Sequence, residues 1–315
     1  MADDPLVAIV LPVFCFIGLG YLIVATRLLT DDVGDALANF VFTIAVPLLL
    51  FRAVGTLDVP PFNPWPFWLA YFGGVALNIA LGILIIRKVF GRDARVGVAA
   101  AMSAGYSNIV MMGMPVVTTA FGEPGLVTIL VLIAIHLPIM MTISAIMVEI
   151  AEVRHAGGNL RLGRAVGRVA LNVLKNPLIL AILAGIAFRV TGLPLDGLPR
   201  ILIDGVSDTA IPLALISLGM SLHRYGIRGN VLPAIVIGSV KLALLPLVVF
   251  ALATLFQLSP LATAVAVVAA ACPTGANAYL IAHRFQTGLA LTANTITLTT
   301  AVSLLTLGFW LSFFE

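Results

Sequence analysis

Uncharged apolar runs about twenty residues long recur along this chain, and they constrain its fold more than any other feature. Residues 5 to 25, "PLVAIVLPVFCFIGLGYLIVA", form the first. At 1.5 Å per residue such a run crosses the hydrocarbon core of a bilayer, about 30 Å thick, as a helix. Lipid offers backbone groups no partners, and these runs lack the alternation of barrel strands. Of the 315 residues 61% are hydrophobic and 10% charged. A soluble domain carries about 25% charged residues to face water. The chain therefore reads as an all-α integral membrane protein.

Ten spans are expected: 5–25, 34–53, 65–88, 96–121, 124–150, 175–192, 200–222, 231–256, 260–286 and 289–313. The start "MADDP" lacks the basic region of a signal peptide, so the first run is expected to stay as a helix. Cys15 and Cys272 both fall in spans and read as buried apolar thiols. The pI of 9.1 does not point to nucleic acid, because the basic residues lie in short loops.

Those loops set the orientation. Arg27, the Arg87–Arg95 group, the Arg154–Lys175 group, Arg224 with Arg228, and Arg284 fall on one side. Arg52, Arg189 and Arg200 fall on the other. Both termini are then expected to be non-cytoplasmic. The linker between spans five and six is basic, and residues 160–174 could lie on the surface as an amphipathic helix.

The two halves resemble each other. "IAVPLLL" (44–50) matches "TAIPLAL" (209–215), and "VALNIALGIL" (75–84) matches "GSVKLALLPL" (238–247), with Asn78 opposite Lys241. "AGYSNIV" (104–110) matches "PTGANAY" (273–279), with Asn108 opposite Asn277. Five spans per copy is an odd number, so the second copy enters the membrane upside down. The expected organisation is a first repeat at 1–153, a linker at 154–174 and an inverted repeat at 175–315.

Spans four and nine each carry residues that break helices. "SNIVMMGMPVV" (107–117) holds Asn108, Gly113 and Pro115, and "CPTGANAYLIAHRF" (272–285) holds Pro273, Gly275 and Asn277. Proline removes a donor and clashes with the preceding turn. Two half-helices are expected, at 114–121 and 278–285. Their starts carry partial positive charge and, from inverted repeats, would meet near the midplane to attract an anion. The plainer reading is a pair of kinks whose Asn side chains bond helix to helix.

Here the chain resembles the auxin efflux carrier family. "SNIVMMGMPVV" is similar to that family's fourth span and "ACPTGANAYLIAHRF" to its ninth, while "AIPLALISLGMSL" (210–222) and "KLALLPL" (241–247) resemble spans seven and eight. The family includes plant PIN carriers and bacterial permeases for malonate, malate and similar organic anions. The resemblance implies ten helices in two inverted five-helix repeats, related in plan to bile-acid sodium symporters. It implies that spans four and nine cross at the substrate site. It also implies an elevator motion of spans three to five and eight to ten against one, two, six and seven. The long hydrophilic loop of the canal-type plant carriers is missing, so a bacterial permease is the nearer likeness.

Ionisable residues inside spans are costly and mark sites. Lys241 could attract a carboxylate, pair with Asp208, or hold backbone carbonyls of a neighbouring helix. Asp208 could carry a proton or sit solvated at a cavity mouth. His136, beside Pro138, could bond a neighbouring helix or shuttle protons. No carboxylate falls within either break, which disfavours sodium.

A membrane enzyme finds no support: there is no H-E-x-x-H and no G-x-S-x-G. The expectation is a secondary transporter for a small organic anion, needing no sodium, cofactor or metal. A sodium symporter and a non-transporting sensor are the rivals. The expected substrate-binding residues are Ser107, Asn108, Gly113, Pro115, Thr274, Gly275, Asn277 and Lys241. Pro115 and Pro273 break the helices, and Asp208 or His136 couples. Membrane lipid surrounds the chain, a homodimer is compatible with it, and nucleic acid is not a partner.

Overall fold

The computed structural model describes residues 9–56, 63–156, 175–227, 229 and 231–314. Among them the backbone is helical apart from turns, loops and one antiparallel bridge. The expected surface helix at 160–174 lies outside the described residues.

The helices are α1 (Leu11–Ala25), α2 (Asp31–Thr56), α3 (Pro64–Lys88) and α4 (Ala94–Gly105). Next come α5 (109–121) and α6 (123–156), divided at Gly122. The second half holds α7 (Pro177–Val190), α8 (Gly197–Tyr225), α9 (Leu232–Leu255), α10 (Pro260–Ala271), α11 (Asn277–Phe285) and α12 (Leu289–Phe314). Six described helical stretches are long and apolar enough to cross a membrane. Exposed Leu22, Leu183, Ile201, Leu305 and Phe309 give the outside an apolar surface suited to lipid.

Local chemistry explains the helix ends. Asn63, Asn176 and Ser259 each cap a helix through a side-chain oxygen, and each is followed by a proline in the first turn. Three π turns, Val41–Ala45, Ile109–Gly113 and Val240–Leu244, end two residues before Pro47, Pro115 and Pro246. The wider turn moves backbone carbonyls away from a ring that would otherwise strike them. At Gly122 φ is 60°, a conformation open to glycine, and there α5 turns into α6.

Packing falls into two groups. In the first, α1 lies on α8 and α2 on α7. A Cβ on Gly20 would strike the Ile216 carbonyl oxygen, and one on Gly219 the Ile17 oxygen. A Cβ on Gly185 would stand 2.9 Å from the Phe51 oxygen. Small residues let backbones touch where lipid provides no hydrophobic drive between helices. In the second group, α3 packs on α4 and α9, and α9 on α10. Helices α4 and α10, "ARVGVAAAMSAG" and "PLATAVAVVAAA", are rich in small residues and buried on every side over Gly97–Gly105 and Ala262–Ala271.

One expectation needs correction. Cys272 is buried, but Cys15 is exposed on the outer face of α1. Its position on the lipid side follows from the face of α1 that packs on α8, which holds Val13, Ile17, Gly20 and Val24.

Candidate functional site

Helices α4 and α10 both stop short and leave their last carbonyls without helical partners. The chain then runs extended through Tyr106–Asn108 and through Cys272–Gly275, and the two segments pair. Asn108 N–H donates to the Pro273 oxygen at 2.9 Å, and Gly275 N–H donates to the Tyr106 oxygen at 2.9 Å. Ser107 thus faces Thr274 in an antiparallel bridge. Across the bridge Asn108 faces Pro273, and the local two-fold relates Asn108 to Gly275 rather than to Asn277. Asn108 and Asn277 are therefore not equivalent, although the sequence match aligned them.

Side chains satisfy the remaining groups. Thr274 Oγ1 donates to the Ser103 oxygen at 2.6 Å, and Thr274 N–H donates to Thr299 Oγ1 at 3.1 Å. Lys241 Nζ donates to the oxygens of Ala270 and Cys272, both at 2.6 Å. At the end of α4, Asn78 Nδ2 donates to the Ala104 oxygen at 3.1 Å and the Val240 oxygen at 3.0 Å. Asn78 and Lys241, aligned by the repeat, hold the carbonyl ends of the two interrupted helices.

A cavity of about 330 Å³ opens beside the bridge. Its polar wall holds Tyr106, Ser107, Asn108, Gly275, Asn277, His136 and Asn176. Its apolar wall holds Phe42, Val110, Met111, Ile133, Leu137 and Met141. No Lys, Arg, Asp or Glu is among the described lining residues. Asn277 Nδ2 donates to the Tyr106 hydroxyl at 2.7 Å, whereas Asn108 Nδ2 has no described partner. The first N–H groups of a helix lack internal acceptors, so the starts of α5 and α11 add partial positive charge. The site can donate to an anion from amides, backbone and imidazole.

Several expected residues lie elsewhere. The break falls at Tyr106–Asn108, before Gly113 and Pro115. Both of those are inside α5, where Gly113 N–H donates to the Asn108 oxygen at 3.1 Å across the π turn. The wide turn absorbs the missing donor of Pro115, so Pro115 bends the ladder without ending the helix. Pro273 does lie in the second break. Lys241 is wholly buried behind the bridge and does not line the cavity. Asp208 pairs with Arg52 at 2.9 Å and its side chain is 66% exposed, so it neither meets Lys241 nor sits in a dry site. Arg52 also holds Asp204 at 2.8 Å.

Sequence reasoning missed Tyr106, Asn176 and Phe42 on the cavity wall, and Asn78 and Thr299 behind it. One signal was available. In α12, Thr292, Thr295, Thr299 and Ser303 follow helical spacing and form a buried polar face inside an apolar helix.

Apolar helices surround a backbone pairing that only protein can shelter, beside a cavity for a small solute. They define a multi-pass membrane protein built around a solute-sized site. The chain belongs to the Membrane transport protein family, the auxin efflux carriers, whose profile matches residues 5–160 and 161–311. It is a membrane transporter. It is similar to a Rhizobium meliloti (strain 1021) protein named "Putative malonate transporter", 28% identical over 95% of this chain and 92% of that one. A Methanothermobacter thermautotrophicus protein named "Uncharacterized transporter" is 24% identical, over 96% of each chain.

Proposed function

We propose that the protein is a secondary transporter of a small organic anion, a mono- or dicarboxylate, working by elevator-type alternating access. The observation that carries this is the cavity at the paired breaks. It is polar on the side of α5, α6 and α11 and is closed by Phe42 of α2 and Asn176–Leu178 at the start of α7. A second cavity of about 440 Å³ follows the same seam, between Val54 of α2 and Ile182 of α7 on one side and Trp68 of α3 and Leu130 of α6 on the other. A body that carries the site along such a seam exposes it to alternate faces of the membrane.

The proposed architecture is ten crossings in two inverted five-helix repeats. Counting α4–α5 and α10–α11 each as one interrupted span gives that number. The contacts support the exchange. Under a swap of halves, α1 on α8 becomes α7 on α2, and α3 on α4 becomes α9 on α10; all four pairs pack together. Repeats of 1–153 and 175–315 joined by a basic cytoplasmic linker follow, with both termini outside. The relative named for malonate supports a carboxylate as the substrate.

Ser107, Asn108, Gly275 and Asn277 are the proposed substrate contacts. The test is uptake into proteoliposomes with sodium, proton and voltage gradients imposed one at a time, using malonate and a series of monocarboxylates. Uptake without sodium is expected. Stimulation by a sodium gradient alone would move the protein to a bile-acid-type mechanism. Binding without turnover would mark a sensor. Orientation is tested by outside labelling of single cysteines placed at Glu123, expected accessible, and Gly158, expected protected.

A further inference from the structure

The cavity contains one imidazole whose burial has no structural return. His136 of α6 is 2% exposed, yet neither Nδ1 nor Nε2 has a hydrogen-bond partner among the described residues. Buried polar atoms are nearly always bonded, and leaving one unmet costs about 1–3 kcal/mol. This ring has two. Its orientation is nevertheless held on three sides. Tyr71 and Tyr106 meet it edge-on with centroids at 5.6 and 5.1 Å, and Phe72 stacks at 6.1 Å. A ring clamped this firmly, with both polar atoms vacant, at the wall of a solute-sized cavity, is preorganised for something that enters.

The chemistry of the rest of the wall says what enters. Asn108 Nδ2, also buried and without a described partner, is a donor on the same wall. The described lining supplies no fixed cation to balance an anion. Imidazole can supply a positive charge on demand. The titratable or charged groups that face the ring are Tyr71 of α3, Tyr106 at the break and, through space, Lys241 of α9. Lys241 is tied to the Ala270 and Cys272 carbonyls and cannot reach the cavity.

We propose that His136 is a direct ligand of a substrate carboxylate, binding it as imidazolium, so that one anion and one proton occupy the site together. This rests on the reading of the chain as an organic-anion transporter. The proton is taken from solvent as the anion enters and is released with it. The charge carried by substrate is thereby neutralised in a cavity that lacks a permanent counter-ion. Ile133, Leu137 and Met141 face the remainder of the bound molecule and suit an apolar body.

The experiment measures binding of 2-oxobutanoate to the purified protein from pH 5.5 to 8. Its carboxyl titrates well below that range and stays ionised throughout it, so any pH dependence belongs to the protein. Wild type should bind at least tenfold more tightly at the acid end. His136→Gln, which keeps a polar side chain but no titration, should bind weakly with a flat profile. His136→Phe should not bind, and without ligand it should melt at or above wild type, since no hydrogen bond is lost and two orphaned atoms leave the core. If His136→Phe does not fold, His136→Gln decides alone. A pH profile that persists in His136→Gln, or a flat wild type, overturns the assignment. A wild type that takes up organic anions but has a flat profile removes this inference alone. A wild type that takes up none removes the transport reading with it.

Discussion

The two breaks perform one topological task with different chemistry. At the first, a neutral amide, Asn78, holds a single carbonyl of α4, and the chain re-enters a helix through a π turn aimed at Pro115. At the second, an ammonium, Lys241, holds the Ala270 carbonyl of α10 and the Cys272 carbonyl just past its end, and α11 begins directly at Asn277. A charged donor makes shorter and stronger bonds than a neutral one, and both Lys241 bonds are 2.6 Å against 3.1 Å for Asn78. The positive charge of the crossing is thus spent behind it, on backbone. The cavity in front is left to uncharged donors and one imidazole. A lysine in mid-span does not have to be a substrate ligand when a broken helix nearby has carbonyls to satisfy.

The largest expected effect is at that lysine. Lys241→Met orphans two buried acceptors, at about 1–3 kcal/mol each. Melting of the purified protein should fall clearly. Unchanged stability with weakened anion binding would return Lys241 to the role of ligand and dissolve the contrast between the breaks.

Asn78→Leu should cost less, about 1–2 kcal/mol, because one donor serves the end of α4 and its second bond reaches only Val240. A double variant with Lys241→Met sharpens the comparison. The two residues hold different carbonyls but touch the same π turn, since Lys241 lies within Val240–Leu244. Coupling beyond about 0.5 kcal/mol would show that the breaks are held as one unit.

At the cavity face, Asn108→Ala should reduce uptake at least tenfold with little change in melting, because Nδ2 gives up no described bond. Asn277→Ala should lose both uptake and stability, since it also frees the Tyr106 hydroxyl. Equal effects on stability would remove the asymmetry that the bridge register assigns to these two amides.

A smaller effect is expected at Thr274→Val. Loss of its bond to the Ser103 oxygen should cost about 1 kcal/mol, with the paired backbone intact. The smallest is expected at Pro115→Ala, below about 1 kcal/mol, because the π turn already relieves the ring. Proline in an unrelieved helix interior costs about 3 kcal/mol. Stabilisation of that size on replacement would show that the turn is strained by Pro115.

The sequence by itself determined the lipid environment, the helical class, the starts of three helices and the two segments that break. Each of these is a local property. Apolar run length sets the crossings, the Asn-Pro and Ser-Pro pairs set helix starts at Pro64, Pro177 and Pro260, and Pro273 marks the second break. The likeness of Asn78 and Lys241 was also visible there, but not what they do. Tertiary structure alone decided the pairing of Ser107 with Thr274, whose side chain reaches Ser103 across 171 positions. It moved the first break back from Pro115 to Tyr106–Asn108, turned Lys241 away from the cavity, and gave Asp208 to Arg52. The first three share one physical reason. A buried backbone group must find a partner, and the partner is chosen by which distant segment packs against it, which no local pattern records.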